Sequence, residues 1–145
     1  MVRRQPDRPR PVPERDLVVL ITLVTEARHQ GALVVFRGDG FAGSATWLGS
    51  AKKAGALVDV ELQIRDEVDW DDILAGHEGA STVGRDDEDG LLRGVVEDLD
   101  KDGVLTLRIA DGVVLIDTTG EPPLEVVGRT VRMVVRDVEI VPTGV

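Results

Sequence analysis

The sequence predicts an all-β domain formed by a small curled sheet or β-barrel of OB-like or SH3/Sm-like character. Its 145 residues include 24 valines and 16 glycines, which is typical of many short strands joined by tight turns. Apolar and polar residues alternate without a break over residues 57–65, as expected for a strand with one wet face. Two β-rich runs over residues 104–118 flank Asp111-Gly112, a strong hairpin signal. Together these features predict six to nine strands and one or two short helical turns.

The hairpin over residues 104–118 is the firmest local prediction. A turn centred on Asp111-Gly112 pairs Ile109 with Val114 and Leu107 with Ile116. Side-chain parity then gives one apolar face, which carries Leu105, Leu107, Ile109, Val114 and Ile116. Turn chemistry and parity agree, so this hairpin is the reference for the other elements.

The sequence predicts a strand or a helix at the start of the domain, followed by a second hairpin. Residues 17–25 are rich in β-branched side chains and favour a strand buried on both faces. A helix capped by Asp16 and ended by Gly31 is the alternative. Gly38-Asp39-Gly40 predicts a second hairpin between residues 33–36 and 41–48.

Later elements alternate with turns. Residues 70–74 and 124–127 predict short helical turns, and residues 91–99 predict a strand. The last strand, 130–141, changes parity between Val135 and Val138, so it must kink or bulge at Arg136-Asp137. Long final strands bend in this way when a sheet curls into a barrel.

The predicted domain organisation is simple. Residues 1–15 form a disordered arm rich in proline and arginine, and residues 16–145 form one barrel-like domain. Residues 43–64 and 94–109 share a loose pattern of strand, glycine turn and alternating strand. This echo predicts two pseudo-symmetric halves, 16–76 and 91–145, joined by an acidic loop at 77–90.

Charge favours a basic protein as the partner. The net charge is −10, and the first sixteen residues hold five arginines against three acids, so the remainder carries −12. A body of this sign repels phosphate backbones and anionic lipid. The leading hypothesis is a non-enzymatic binding or adaptor domain, for which an inhibitor or immunity-like role would be suitable. Its predicted contact residues lie in acidic loops: Asp66, Glu67, Asp69, Asp86, Asp87, Glu88 and Asp89.

Cysteine usage and hydropathy bear on location. The chain has no cysteine, which excludes disulfides, thiol nucleophiles and cysteine-ligated zinc. The apolar run at 17–24 is too short to cross a bilayer. We therefore expect a cytoplasmic protein without a membrane segment. Exposed sheet edges leave both a monomer and a homodimer open.

A calcium site is one alternative. Asp98, Asp100 and Asp102, followed by Gly103, match the start of a D-x-D-x-D-G calcium loop. The twelfth position, where such loops carry a bidentate glutamate, is Ile109. The competing interpretation is a plain turn in which the acids accept hydrogen bonds from backbone amides.

Two further alternatives concern nucleic acid and catalysis. Residues 33–53 combine aromatic and basic side chains, and Trp47 is the candidate for stacking on single-stranded bases in an OB-like barrel. A carboxylate-based hydrolase is the other alternative, in which acids around Trp70 would act as general acid and base. These acids are Asp66, Glu67, Asp69, Asp71 and Asp72. His29 and His77 are the only histidines and lack zinc-ligand spacing, so an enzyme is the less favoured class.

Overall fold

A computed structural model describes residues 17–75, the backbone of 81–83, and residues 91–109 and 112–143. In these residues twelve strands form two six-stranded sheets, which confirms the all-β prediction. The strands are β1 (Val18–Leu23), β2 (Leu33–Gly38), β3 (Phe41–Trp47), β4 (Leu57–Ile64), β5 (Glu67–Asp69), β6 (Leu74–Ala75), β7 (Ser81–Val83), β8 (Leu91–Leu99), β9 (Val104–Ile109), β10 (Gly112–Thr119), β11 (Thr130–Val134) and β12 (Val138–Pro142). A single-turn 3₁₀ helix, Trp70–Asp72, separates β5 from β6 and confirms the predicted helical turn there.

Five strands of the first sheet form a ring, which we call the first barrel. β1 is antiparallel to both β2 and β4, β2 to β3, and β4 to β12. β12 then pairs in parallel with β3, through Glu139 with Thr46 and Ile140 with Trp47, so the pairing returns to its start. A five-stranded barrel of this kind agrees with the OB-like alternative. β7 adds in parallel to the start of β3.

The second sheet is curled so far that its two edges are neighbours in the chain. Its order is β5-β10-β9-β8-β11-β6, yet β5 and β6 are separated only by residues 70–73. β5 is parallel to β10, and β6 is antiparallel to β11. Together β5 and β6 therefore hold the position in the second sheet that β12 holds in the first barrel.

Buried apolar side chains from both sheets form one continuous core. Trp47, Phe36 and Ile140 contribute from the first barrel, and Leu105 and Ile116 from the second sheet. β10 contacts β1 and β4 of the first barrel, which joins the two sheets. This contact explains why Thr106 and Val113, on the outward face of the β9–β10 hairpin, are buried as well.

The prediction for the hairpin over residues 104–118 is confirmed in its buried face and wrong in its register. Leu105, Leu107, Ile109, Val114 and Ile116 are all buried, as predicted. Ile109, however, pairs with Gly112 rather than with Val114. Residues 110 and 111 lie outside the described part of the chain. A shift of two residues in the pairing leaves every side chain on its own face, and this is why parity alone could not detect the error.

The predicted strand over residues 17–25 is confirmed as the shorter strand β1, Val18–Leu23, but its burial differs from the prediction. Val19, Ile21 and Leu23 face the core, whereas Leu20 is 55% exposed. The strand is thus buried on one face only. The second predicted hairpin is confirmed, since Gly38 pairs with Phe41 across Asp39-Gly40, and Gly40 has the left-handed φ of +85° that the turn requires.

The predicted kink in the last strand is a change of sheet. The segment divides into β11 in the second sheet and β12 in the first barrel, with residues 135–137 crossing between them. Val131, Met133 and Val135 are buried on one side of the crossing, and Val138 and Ile140 on the other. The parity change in the sequence marks this crossing.

The two halves are equivalent, but not through the residues that the sequence echo matched. β1 pairs with β2 and β4, and β2 with β3; β8 pairs with β9 and β11, and β9 with β10. The structure therefore matches β1–β4 with β8–β11, whereas the echo had matched 43–64 with 94–109. Strand β7 was not predicted. The predicted arm at 1–15 and acids 86–89 lie outside the described residues.

Candidate binding surface

The register of β5 with β10 creates an acidic surface from two distant parts of the chain. Glu67 lies directly opposite Asp117 in this parallel pair, and both are exposed. Asp71 and Asp72, in the 3₁₀ turn that follows β5, are also exposed. We call Glu67, Asp71, Asp72 and Asp117 the acidic face.

No cation of the described residues neutralises the acidic face. The salt bridges in that part of the chain join Arg28 to Glu26, Arg65 to Glu139 and Arg108 to Glu97, all elsewhere. Like charges directly opposite each other on neighbouring strands repel and destabilise the pair. The exposed Glu67–Asp117 pair is therefore open to a cation from outside.

Asp69, beside the acidic face, has a structural role. Its carboxylate accepts hydrogen bonds from the Asp71 backbone N–H at 2.8 Å and from the Thr119 hydroxyl at 3.2 Å. It caps the 3₁₀ turn at the turn's amino end, where a carboxylate is favourable. Asp69 thereby fixes Asp71 and Asp72 relative to β10.

Trp70 anchors the acidic face from beneath. It is 5% exposed, and its indole Nε1–H donates to the Thr118 hydroxyl at 3.1 Å. That hydroxyl donates in turn to the Gly103 carbonyl at 2.7 Å. The chain of hydrogen bonds joins the 3₁₀ turn to β10 and to the turn before β9, so the acidic face is built on a rigid base.

Asp66 is likewise engaged with the backbone. Its carboxylate accepts from the backbone N–H groups of Arg136, at 3.0 Å, and Asp137, at 2.8 Å. Of the predicted contact residues in the described part, Glu67 is thus exposed without such a role, whereas Asp66 and Asp69 hold the fold together. Asp86, Asp87, Glu88 and Asp89 lie outside the described residues.

The turn proposed for calcium is stabilised by its own backbone. The Asp100 carboxylate accepts from the N–H groups of Asp102 and Val104, each at 2.9 Å. Gly103 follows with φ +88°. Among the described residues, no group of three or more acids or histidines is arranged to hold a metal ion, and this includes Asp98, Asp100 and Asp102. The geometry here is that of a turn capped by an aspartate.

The aromatic side chains offer no stacking platform. Trp47 is 0% exposed, and its Nε1–H donates to the Ser50 carbonyl at 2.8 Å. Phe36 and Phe41 are buried and meet edge to face, with ring centroids 6.0 Å apart and an interplanar angle of 62°. The ring of Trp47 therefore has no free face on which a base could stack in this conformation.

A concave region lies on the outer face of the first barrel, apart from the acidic face. It is a shallow depression of about 540 Å³, with Leu20 and Leu57 exposed at its floor and Asp39 and Asp59 in its lining. Arg37 is the one cation among its lining residues. Leu20 and Leu57 make this depression more apolar than the acidic face. Its carboxylates, Asp39 and Asp59, would repel the phosphates of a nucleic acid that bound there.

Two features of the surface were missed by the sequence analysis. The sequence did not place Asp117 with the acids of 66–72, because only the β5–β10 register joins them. Arg93 and Arg132 lie directly opposite each other on β8 and β11, and the Nε of Arg132 is buried without a hydrogen-bond partner among the described residues. Cross-strand register has no local signal in the sequence, so neither pairing could be inferred.

The comparisons with known proteins leave these sites to be interpreted on their own chemistry. No protein-family model, curated protein or solved structure shows significant similarity to the chain. Within the described residues, no helix has the length and apolar character needed to span a bilayer.

Proposed function

We propose that this protein is a non-enzymatic binding domain whose acidic face engages a basic protein or peptide. The observation that carries the proposal is the pairing of Glu67 with Asp117 across β5 and β10, without a neutralising cation in the described part of the chain. A lysine or arginine placed between the two carboxylates would relieve their repulsion and form charge-assisted hydrogen bonds with both. The partner would then bind to two carboxylates that the β5–β10 register already places opposite each other.

The position of the acidic face supports this proposal. Its carboxylates project from a short strand and a capped turn that Asp69 and Trp70 hold in place. Little conformational entropy is then lost when a partner binds, because the acids are already oriented. The overall charge of −10 adds long-range attraction for a basic partner and speeds association.

The test is binding of a fluorescently labelled twelve-residue lysine- and arginine-rich peptide to two charge-matched double variants. Glu67→Gln with Asp117→Asn removes the central pair of the acidic face. Asp39→Asn with Asp59→Asn removes two exposed carboxylates from the first barrel. Both changes raise the net charge by two, so non-specific attraction falls equally.

We expect the acidic-face variant to bind about 2- to 30-fold more weakly, which corresponds to two exposed ion pairs of about 0.2–1 kcal/mol each. The first-barrel variant should lose only the small non-specific attraction that both variants share, and so should bind more tightly than the acidic-face variant. Equal weakening in both variants would show that net charge alone attracts the peptide, and the proposal would then be abandoned.

The same titration addresses single-stranded nucleic acid. The OB-like pairing of the first barrel is what supports that alternative, while the burial of Trp47 removes its stacking residue. A labelled oligothymidylate at low salt is the probe. Tighter binding of the oligonucleotide than of the peptide would favour this alternative over the acidic face.

A further inference from the structure

The strand that completes each sheet comes from the other half of the chain. β12 follows β11 of the second sheet but pairs with β3 and β4 of the first barrel. β5 and β6 follow β4 of the first barrel but pair with β10 and β11 of the second sheet. Each half thus contributes its fifth strand to the sheet of the other half.

Equivalent hydrogen bonds show that the two halves follow one plan. Gly55 donates its N–H to the Leu23 carbonyl at 2.7 Å, and Leu23 donates to the Ala56 carbonyl at 2.9 Å. In the second half Gly128 donates to Val96 at 2.7 Å, and Val96 donates to Arg129 at 2.9 Å. The two glycines have φ of +89° and +94°, the left-handed region that favours glycine.

The two crossings carry the same dipeptide and contact each other. Arg65-Asp66 links β4 to β5, and Arg136-Asp137 precedes β12. Arg65 donates its backbone N–H to the Asp137 carbonyl at 2.7 Å, while the Asp66 carboxylate accepts from the N–H groups of both Arg136 and Asp137. The crossings are therefore fastened together at the point where the strands change sheets.

The exchanged strands β12 and β5 place apolar side chains in the core of the sheets that receive them, whereas both residues of β6 are exposed. Val138 and Ile140 of β12 are each 0% exposed, and Val68 of β5 is 6% exposed. Withdrawal of either strand would expose these side chains to water and leave strand edges unpaired. A half without the other's fifth strand would lack part of its core and one of its paired edges.

We propose that the chain consists of two repeats of one folding unit, residues 17–83 and 91–143, which are obligate partners because they exchange their fifth strands. Once the protein has folded, the covalent link through residues 84–90 is dispensable for their association. This inference rests on pairing, burial and the fastened crossings, and it does not depend on the proposed function.

The test uses the full chain with a specific protease site inserted between residues 84 and 90. After cleavage, we expect the two fragments to elute together in size-exclusion chromatography at micromolar concentration and to melt in one transition. They should separate only in denaturant. Fragments that separate under native conditions, or that melt independently, would overturn the proposal.

A second measurement tests the exchange itself rather than simple contact between the halves. Ile140→Ala in β12 should increase amide hydrogen exchange in β3 and β4 of the first barrel, and Val68→Ala in β5 should increase it in β10. Both substitutions leave part of an apolar side chain in place, and far-UV circular dichroism of each variant checks that the fold is retained. If Ile140→Ala loosened its sequence neighbour β11 instead of β3 and β4, the exchange would be refuted.

Discussion

Removal of the Asp66 carboxylate should weaken the whole molecule, although the side chain is only partly buried. Asp66 is the acceptor for two backbone N–H groups at the crossing of residues 135–137. Asp66→Ala leaves both amides without their acceptor, and Asp66→Asn keeps one oxygen but loses the charge. The nearest precedent is the loss of a capping side chain, which costs about 0.5–2 kcal/mol.

Two features of the structure place the expected loss for Asp66→Ala at about 1–2 kcal/mol. Two amides are affected rather than one, which raises the cost, but water can reach them once the carboxylate is gone, which limits it. For a domain of about 150 residues, each kcal/mol lowers the melting temperature by roughly 2–4 °C. Asp66→Ala should therefore melt about 2–8 °C below the wild type, with Asp66→Asn between them.

Thermal melting and urea denaturation, followed by far-UV circular dichroism, measure this change. The matched control is Glu67→Gln, which removes a carboxylate one position away from a side chain that is exposed. Its effect should stay within about 0.5 kcal/mol, as for most surface substitutions. If Asp66→Ala proved no more destabilising than the control, the crossing would not be fastened by this carboxylate, and our account of its role would be wrong.

Three further substitutions test other parts of the structure. Gly94→Ala should destabilise the protein by about 1–3 kcal/mol in urea denaturation, because the added Cβ would lie 2.5 Å from the Arg108 carbonyl oxygen; Val95→Ala is the control. Thr118→Val should cost about 1–3 kcal/mol and change Trp70 fluorescence, since the buried indole N–H loses its acceptor. The control is Thr22→Val in β1 of the first barrel, which should not change Trp70 fluorescence. Glu97→Gln should cost about 0.5 kcal/mol at neutral pH. The hydrogen bond and charge of Arg108 hold the Glu97 pKa below its ordinary value of 4.5, so this stabilisation is present above pH 4.5 and should vanish in melts as the pH falls further. A difference between Glu97→Gln and wild type that stayed constant down to low pH would contradict this assignment.

The sequence was sufficient to predict the buried face of the β9–β10 hairpin and the turn before β3, because these depend on neighbouring residues. The buried set Leu105, Leu107 and Ile109 follows from alternation, and the Asp39-Gly40 turn follows from glycine's freedom at positive φ. The parity change near Arg136 was visible in the same way, since a strand cannot bury both parities in one sheet. Each of these predictions needed only the order of residues within a short segment.

Pairing partners were beyond the sequence, because alternation specifies which side of a strand is buried but not what lies beside it. A strand that crosses to the other sheet has the same pattern as one that stays. The two-residue error in the β9–β10 register arose in this way, since both registers bury the same side chains. Arg-Asp dipeptides stand at both crossings, 65–66 and 136–137, but the same dipeptide also occurs at 15–16 and 85–86 and is therefore no specific sign of a crossing. Their meaning depends on contacts between residues about seventy positions apart.

The acidic face exists because of this exchange. Glu67 belongs to the first half of the chain and Asp117 to the second, and they meet only because β5 crosses to lie beside β10. A protein whose halves kept their own fifth strands would carry the same net charge but would not place these two carboxylates opposite each other. The arrangement proposed for binding is therefore produced by the exchanged strand rather than by composition. It follows that the nicked protein should still bind the basic peptide for as long as its two fragments remain together.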